Sequence, residues 1–172
     1  QIDWERLRHE MVETQILRRG ITSSPLIDAM QKVKRHRFIP HSQIANAYED
    51  RPLPIGEDQT ISQPYMVALM SEALDLKGGE KVLEVGTGSG YQAAILAEMG
   101  CEVWSIERNS GLAAMAKNNL ARQGYSSVEV VVGDGTEGFL PQQPYRGIIV
   151  TAGGPVIPEA LKAQLDPEGG VL

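Results

Sequence analysis

Lys81-Val-Leu-Glu-Val-Gly-Thr-Gly-Ser-Gly-Tyr-Gln-Ala-Ala-Ile-Leu-Ala97 is the stretch whose reading decides the fold. Val82, Leu83 and Val85 form a short apolar run, as expected of a buried strand in a parallel sheet. Gly86, Gly88 and Gly90 follow at once, and Ala93, Ala94, Ile95 and Leu96 then read as a helix. Glycines at such a junction allow a tight turn and let a ligand approach the backbone closely. The start of the helix leaves amide N–H groups pointing into the turn. Strand, glycine turn and helix together make a nucleotide-type binding corner.

Charge selects the kind of ligand. A phosphate-binding loop carries Gly-Lys-Ser/Thr, yet no Lys or Arg lies between Val82 and Glu98. Glu84 sits two residues before the first glycine, and bulky Tyr91 occupies the place of the third dinucleotide-type glycine. A carboxylate beside a cation-free turn suits a ligand with an ammonium and a sulfonium and no phosphate. S-adenosyl-L-methionine has that chemistry.

The wider chain supports an α/β reading. Val103, Trp104, Ser105 and Ile106 alternate into a second strand ending at Glu107, 23 residues after Glu84. A carboxylate there can accept hydrogen bonds from both ribose hydroxyls. Asn109 or Ser110 caps a helix running to about Gln123, with Gly124 as its stop. Val128–Val132 is a third strand, and Asp134 after it either takes an adenine amino group or simply makes an Asp-Gly turn. Gly147–Thr151 reads as a fourth strand, Ile157–Leu165 as a helix, and Gly169–Leu172 as the opening of a fifth strand. The fold class is thus a doubly wound, mostly parallel Rossmann-like sheet, with ligands at the C-terminal strand ends.

Residues 1–45 show no such alternation and read as a helical flank. Asp3 caps a first helix with Leu7, Met11, Val12 and Ile16 on its apolar face, and Gly20 stops it. Ser24-Pro25 opens a second, with Leu26, Met30 and Val33 on one face, ending at Phe38-Ile39-Pro40. Residues 46–64 read as a long loop, since Pro52, Pro54, Gly56 and the acidic cluster exclude a helix and disfavour a regular strand. A loop of that length in a compact domain is usually functional or disordered, and Leu53, Pro54, Ile55 and Ile61 argue against disorder. Pro64 then starts a helix with Met66, Leu69, Met70 and Ala73 at core spacing, and 65–172 forms the cofactor-binding core of one domain.

Composition narrows the function classes. At 172 residues with 42% hydrophobic and 22% charged residues the chain fits an ordinary globular domain. No apolar run approaches the ~18 residues of a membrane span. Cys101 is the only cysteine and reads as a small apolar residue, so a cytoplasmic setting is expected. Residues 1–40 carry a net +3, a solvated helix face, whereas the rest carries −9. That acidic body argues against nucleic acid as the partner.

The residues already quoted, with His36-Arg-Phe-Ile-Pro40, Asp50-Arg-Pro-Leu-Pro-Ile-Gly56, Gln59-Thr-Ile-Ser-Gln-Pro64, Val131-Val-Gly-Asp-Gly135 and Ile148-Ile-Val-Thr-Ala-Gly153, resemble the protein-L-isoaspartate O-methyltransferases. These are class I S-adenosylmethionine-dependent enzymes, and the likeness spans nearly all of residues 5–172. The resemblance implies methyl transfer to the α-carboxylate of L-isoaspartyl residues in damaged proteins, with S-adenosyl-L-homocysteine as product. The ester then collapses to a succinimide, whose hydrolysis partly restores aspartate. It further implies Ser62 as the active-site hydroxyl, with Thr60 and Ile61 beside it against cofactor and substrate. Glu84, Val85, Gly86, Thr87 and Gly88 would line the methionine end, Glu107 and Arg108 the ribose, and Gly133 and Asp134 the adenine. A monomer that needs no metal and no membrane is expected, and His9, His36 and His41 read as structural.

Three departures stand out. Glu57-Asp58 occupies a place where bacterial relatives commonly have glycine, and Arg146 one where aspartate is common. The sequence also ends inside the expected fifth strand, so it reads as a piece whose C-terminal strands are missing. The alternatives are an RNA methyltransferase of the same core, a non-catalytic cofactor-binding relative, and an enzyme esterifying a peptide natural product. Amino-group methylation usually needs an Asn/Asp-Pro-Pro-aromatic motif, where this chain has Thr151-Ala-Gly-Gly-Pro155.

Overall fold

The computed structural model describes residues 1–151 and 153–172. Ala152, which falls in two of the motifs quoted above, lies outside the described residues. Helix α1 (Trp4–Met11) begins where the Asp3 carboxylate accepts from Arg6 N at 3.0 Å. It runs on as a π-helical turn, Val12–Ile16, and a 3₁₀ turn, Leu17–Arg19, and stops at Gly20 with φ 92°. The π-turn was not foreseen from the sequence; it buries Val12, Gln15 and Ile16 together.

Helix α2 (Ser24–Lys32) starts one residue earlier than expected, its N-cap being Ser23 and not Ser24. The Ser23 and Thr22 amides donate to Glu72, so a carboxylate from another helix does the capping. The helix also stops well before Pro40. Val33 is already extended, and a 3₁₀ turn, Arg35–Phe38, follows. That break lets Arg35, His36 and Phe38 all turn inward, which one continuous helix face could not do.

The expected loop at 46–64 contains a short antiparallel hairpin, β1 (Leu53–Gly56) and β2 (Gln59–Ile61). Pro54 is tolerated because a two-stranded ribbon leaves an unpaired edge. Glu57 and Asp58 at the turn have φ of 53° and 55°, the left-handed pair that a tight hairpin turn demands. Helix α3 (Pro64–Ala73) follows, but its buried face is Val67, Ala68 and Ser71. Met66 and Leu69 are exposed, contrary to their expected place in the core. Apolar residues occur all round this helix, so spacing alone could not choose the face. Buried Ser71 decides it, donating to Val67 O and accepting from Gln92.

The sheet is built as expected. Strands β3 (Lys81–Val85), β4 (Glu102–Glu107), β5 (Glu129–Val132) and β6 (Gly147–Val150) are parallel in the order β5-β4-β3-β6. Helices α4 (Tyr91–Glu98) and α5 (Ser110–Arg122) make the crossovers β3-to-β4 and β4-to-β5. Side chains alternate across the sheet. Val82, Val103, Val130 and Ile149 join the large apolar cluster that also holds α1, α2 and α4. Leu83, Val85, Ile106 and Ile148 pack on the other face with Tyr145 and Leu161.

Helix α6 (Glu159–Ala163) is shorter than the expected Ile157–Leu165, because Pro158 caps it. The expected fifth strand is a single parallel bridge, Gly147 to Val171. The order of strand addition reverses at β3, since β4 and β5 are laid down on one side of it and the parallel β6 on the other. In open α/β sheets ligands bind in the crevice at that switch point. Among the described residues no helix is long and apolar enough to cross a membrane.

Candidate active site

At the C-terminal end of β3 the chain turns through Gly86, Gly88 and Gly90, with φ of 97°, 54° and 93°. Side chains there would be strained. Gly86 N donates to Ile106 O at 2.8 Å, and the Thr151 hydroxyl donates to Gly86 O at 2.6 Å. The turn is therefore pinned from β4 on one side and from the end of β6 on the other. Bulky Tyr91 does not obstruct it. Its ring turns into the core, edge-on to Phe38.

Two carboxylates approach this turn in different states. Glu84 is fully buried beneath it rather than open beside it. Ser105 Oγ donates to Glu84 Oε1 at 2.6 Å, and Thr87 Oγ1 lies 2.6 Å from Ser105 Oγ. Because the Ser105 proton is committed to Glu84, Thr87 donates to Ser105. Oε2 of Glu84 has no partner among the described residues. Burial pushes the Glu84 carboxyl up to about 8, against the opposing pull of the Ser105 bond. Glu107 is held differently, its Oε1 and Oε2 accepting from the Gly88 and Asn109 amides, each at 2.9 Å. Both oxygens keep a lone pair for further donors.

Asp134 follows β5 and caps the 3₁₀ turn Gly135–Glu137, its Oδ1 accepting from Thr136 N at 3.0 Å and Thr136 Oγ1 at 2.7 Å. Those bonds hold its carboxyl below the usual range. The Asp-Gly turn and a spare acceptor oxygen therefore coexist. Gly135 next to it leaves no room for a side chain, since an added Cβ would lie 2.3 Å from Val85 Cγ1.

The opposite wall is the hairpin. Thr60, Ile61 and half-buried Ser62 border the same cleft of about 1240 Å³ as Glu84, Val85, Gly86, Thr87, Gly88, Glu107, Arg108 and Asp134. Gly133 is the one expected site residue that does not border it; its amide donates to Glu107 O instead. At the hairpin tip Glu57 Oε2 accepts from Asn109 Nδ2 at 3.3 Å, bridging the cleft beside Glu107.

Sequence reasoning missed four supporting residues: Arg35, Ser105, Asn109 and Thr151. Pairing β3 with β4 in register would have found Ser105, which lies directly across from Glu84. Arg35 carried no such signal. It is fully buried, donates Nε to Ala47 O at 2.7 Å and Nη2 to Ser62 O at 2.9 Å. Histidines play no part in the cleft: His36 stacks on Trp4 and bonds to the Tyr48 hydroxyl, and burial lowers it to about 4.

Residues 6–172 match the family model described as protein-L-isoaspartate(D-aspartate) O-methyltransferase. A protein-L-isoaspartate O-methyltransferase of Methanoculleus marisnigri is 55% identical over 167 residues, which is 97% of this chain and 76% of the relative. One from Geobacter metallireducens is 53% identical over 171 residues, 99% of this chain and 79% of the relative. Among solved structures, a protein-L-isoaspartate O-methyltransferase superposes with a TM-score of 0.85 at 32% identity, over 97% of this chain and 53% of that one. Another, from Plasmodium falciparum, gives a TM-score of 0.80 at 23% identity over 99% of this chain and 83% of its own, and supports the fold.

Proposed function

Because the chain belongs to the protein-L-isoaspartate(D-aspartate) O-methyltransferase family, we propose that its cleft methylates the α-carboxylate of L-isoaspartyl residues in proteins, with Ser62 orienting the accepting oxygen. The observation that carries this reading is one cleft with two unlike walls: an acidic, cation-free glycine turn and a hydroxyl-bearing hairpin.

S-adenosyl-L-methionine is the methyl donor of the family, and the residues present fit it. The unpartnered Oε2 of Glu84 would serve the methionine end as an acceptor once the carboxyl is ionised, and the glycine turn lets the backbone come close. Glu107, oriented by two amides, suits the ribose hydroxyls, and the spare oxygen of Asp134 suits an amino group of the base. When bound, the cofactor supplies an electrophilic methyl on a positively charged sulfur.

What remains for the protein is alignment. A substrate carboxylate with a pKa near ~4 is ionised at neutral pH, so no base is needed. The Ser62 hydroxyl can donate one hydrogen bond to that carboxylate and fix the direction of its attacking oxygen. Buried Ile61 beside it contributes an apolar wall that keeps water away.

We further propose three units within the domain: a helical flank at 1–45, the substrate and cofactor loop at 46–64, and the core at 65–172. The acidic body and the lone unpaired cysteine support a cytoplasmic protein that acts on polypeptides and not on nucleic acid.

A methyl-transfer assay comparing an isoaspartyl peptide with its aspartyl twin tests the reading. An alkali-labile label on the isoaspartyl peptide alone is expected, and equal labelling of both would overturn it. Ser62→Ala should lower kcat about 10–100-fold while leaving adenosylhomocysteine affinity nearly intact. Loss of cofactor binding would instead make Ser62 part of the cofactor pocket.

A further inference from the structure

We infer that Arg35 is a positioning residue for the reaction: its buried guanidinium ties the Ser62 backbone to the flank and to the glycine-turn helix, and so sets where the Ser62 hydroxyl stands. This rests on the reading of Ser62 given above.

Three contacts converge on one planar group. Nε donates to Ala47 O at 2.7 Å, at the start of the loop 46–64. Nη2 donates to Ser62 O at 2.9 Å, on the wall opposite the cofactor turn. The Cζ atom lies 5.0 Å from the ring centre of Tyr91, the first residue of α4. The guanidinium, itself carried by the flank, therefore touches both ends of the loop that forms the substrate wall and the helix that starts from the cofactor turn. A rigid fork with fixed donor directions can hold all three at once, which the point charge of a lysine cannot.

The energetics favour a positioning role over packing. Arg35 is fully buried, and the groups satisfying its guanidinium are two neutral carbonyls and an aromatic face. Nη1 has no partner among the described residues. Burying a cation without a carboxylate is costly, and an apolar side chain of similar volume would fill the same space without that cost. A residue kept only to fill space would therefore not be an arginine. Arg35 also bonds to the Ser62 carbonyl and not to its hydroxyl, so it fixes the backbone and leaves the Oγ available.

The test is a double-mutant cycle on the full chain with an isoaspartyl peptide, using Arg35→Met, Arg35→Lys and Ser62→Ala. Adenosylhomocysteine affinity by calorimetry and thermal midpoint are measured alongside. Arg35→Met is expected to lower kcat about 10–100-fold, as a displacement of about 1 Å can, with cofactor Kd within about threefold. Arg35→Lys keeps the charge and loses the fork, and should recover only part of kcat. In the Ser62→Ala background the same Arg35 substitutions should cost almost nothing in kcat, because the group they position is gone.

Fold-losses that multiply independently would overturn the inference, as would full kcat in a folded Arg35→Met. A parallel loss of cofactor affinity, or failure of both Arg35 variants to fold, would also overturn it by making the guanidinium a cofactor or folding element. If Ser62→Ala alone left kcat unchanged, the reading of Ser62 would fail first, and that single variant distinguishes the two failures.

Discussion

Ser105 stands directly across from Glu84 in the β3–β4 register, and its hydroxyl donates to Glu84 Oε1 at 2.6 Å. That bond is the one hydrogen bond the Glu84 carboxyl makes to the described residues, since Oε2 has none. One hydroxyl cannot offset the cost of ionising a fully buried acid, so the group is raised to about 8. The unfolded chain ionises it near its ordinary value of 4.5. Between those two values the folded state binds more protons, so stability falls as pH rises from about 4.5 to about 8 and then levels off. Glu84→Gln removes the titrating group with little change of shape. Thermal midpoints from pH 5 to 9 should therefore decline more steeply for the parent chain than for the variant. Parallel curves would show that Glu84 ionises without penalty.

Glu107 presents the opposite case, a carboxylate whose two oxygens are each occupied by a backbone amide yet remain able to accept more. Glu107→Gln replaces one acceptor oxygen with a donor that faces an amide N–H. A hydrogen bond to a charged acceptor contributes roughly 1.5–3 kcal/mol, so adenosylhomocysteine should bind about 10–100-fold more weakly. Calorimetry at constant pH reads this directly. Unchanged affinity would remove Glu107 from the ribose site.

Much of this arrangement was legible in the sequence, and for identifiable reasons. Strands β3, β5 and β6 are short apolar runs with a glycine at one end, and β4 alternates, patterns that a buried parallel sheet produces. Once their order is known, Glu84, Glu107 and Asp134 must share one end of the sheet. Two things were hidden. The faces of α3 could not be told apart because Met66 and Val67 are equally apolar, and the deciding contact, Ser71 with Gln92, is long-range. Arg35 was hidden because a charge next to Lys34 and Arg37 reads as solvated surface, and only tertiary packing shows the carbonyls and ring that receive it.

The hairpin turn should be improvable. Glu57 and Asp58 both occupy left-handed backbone, which costs roughly 1–2 kcal/mol for a residue with a side chain. Asn-Gly is the pair that such a turn prefers. Glu57→Asn with Asp58→Gly should raise stability by about 1 kcal/mol, less than the full strain because glycine loses more entropy on folding. Urea unfolding measures it at unchanged m-value. A decrease would mean that the Glu57 bond to Asn109 outweighs the strain, and that the hairpin tip is held chiefly through that contact.

Gly135 sets the tolerance of the third strand end. An added Cβ would lie 2.3 Å from Val85 Cγ1 and 3.4 Å from its Cβ, on the residue that leads into the glycine turn. Val85 cannot retreat, because it is paired with Ile106 on one side and Val150 on the other. The segment after β5 must move instead, carrying Asp134 away from the cleft. Gly135→Ala should therefore lower stability by about 1–3 kcal/mol, the usual cost of overpacking, and weaken adenosylhomocysteine binding more than it weakens binding of a ligand without the adenine. Equal weakening of both would mean that the displaced segment takes Val85 with it, so that the strain reaches the glycine turn and not only the Asp134 end.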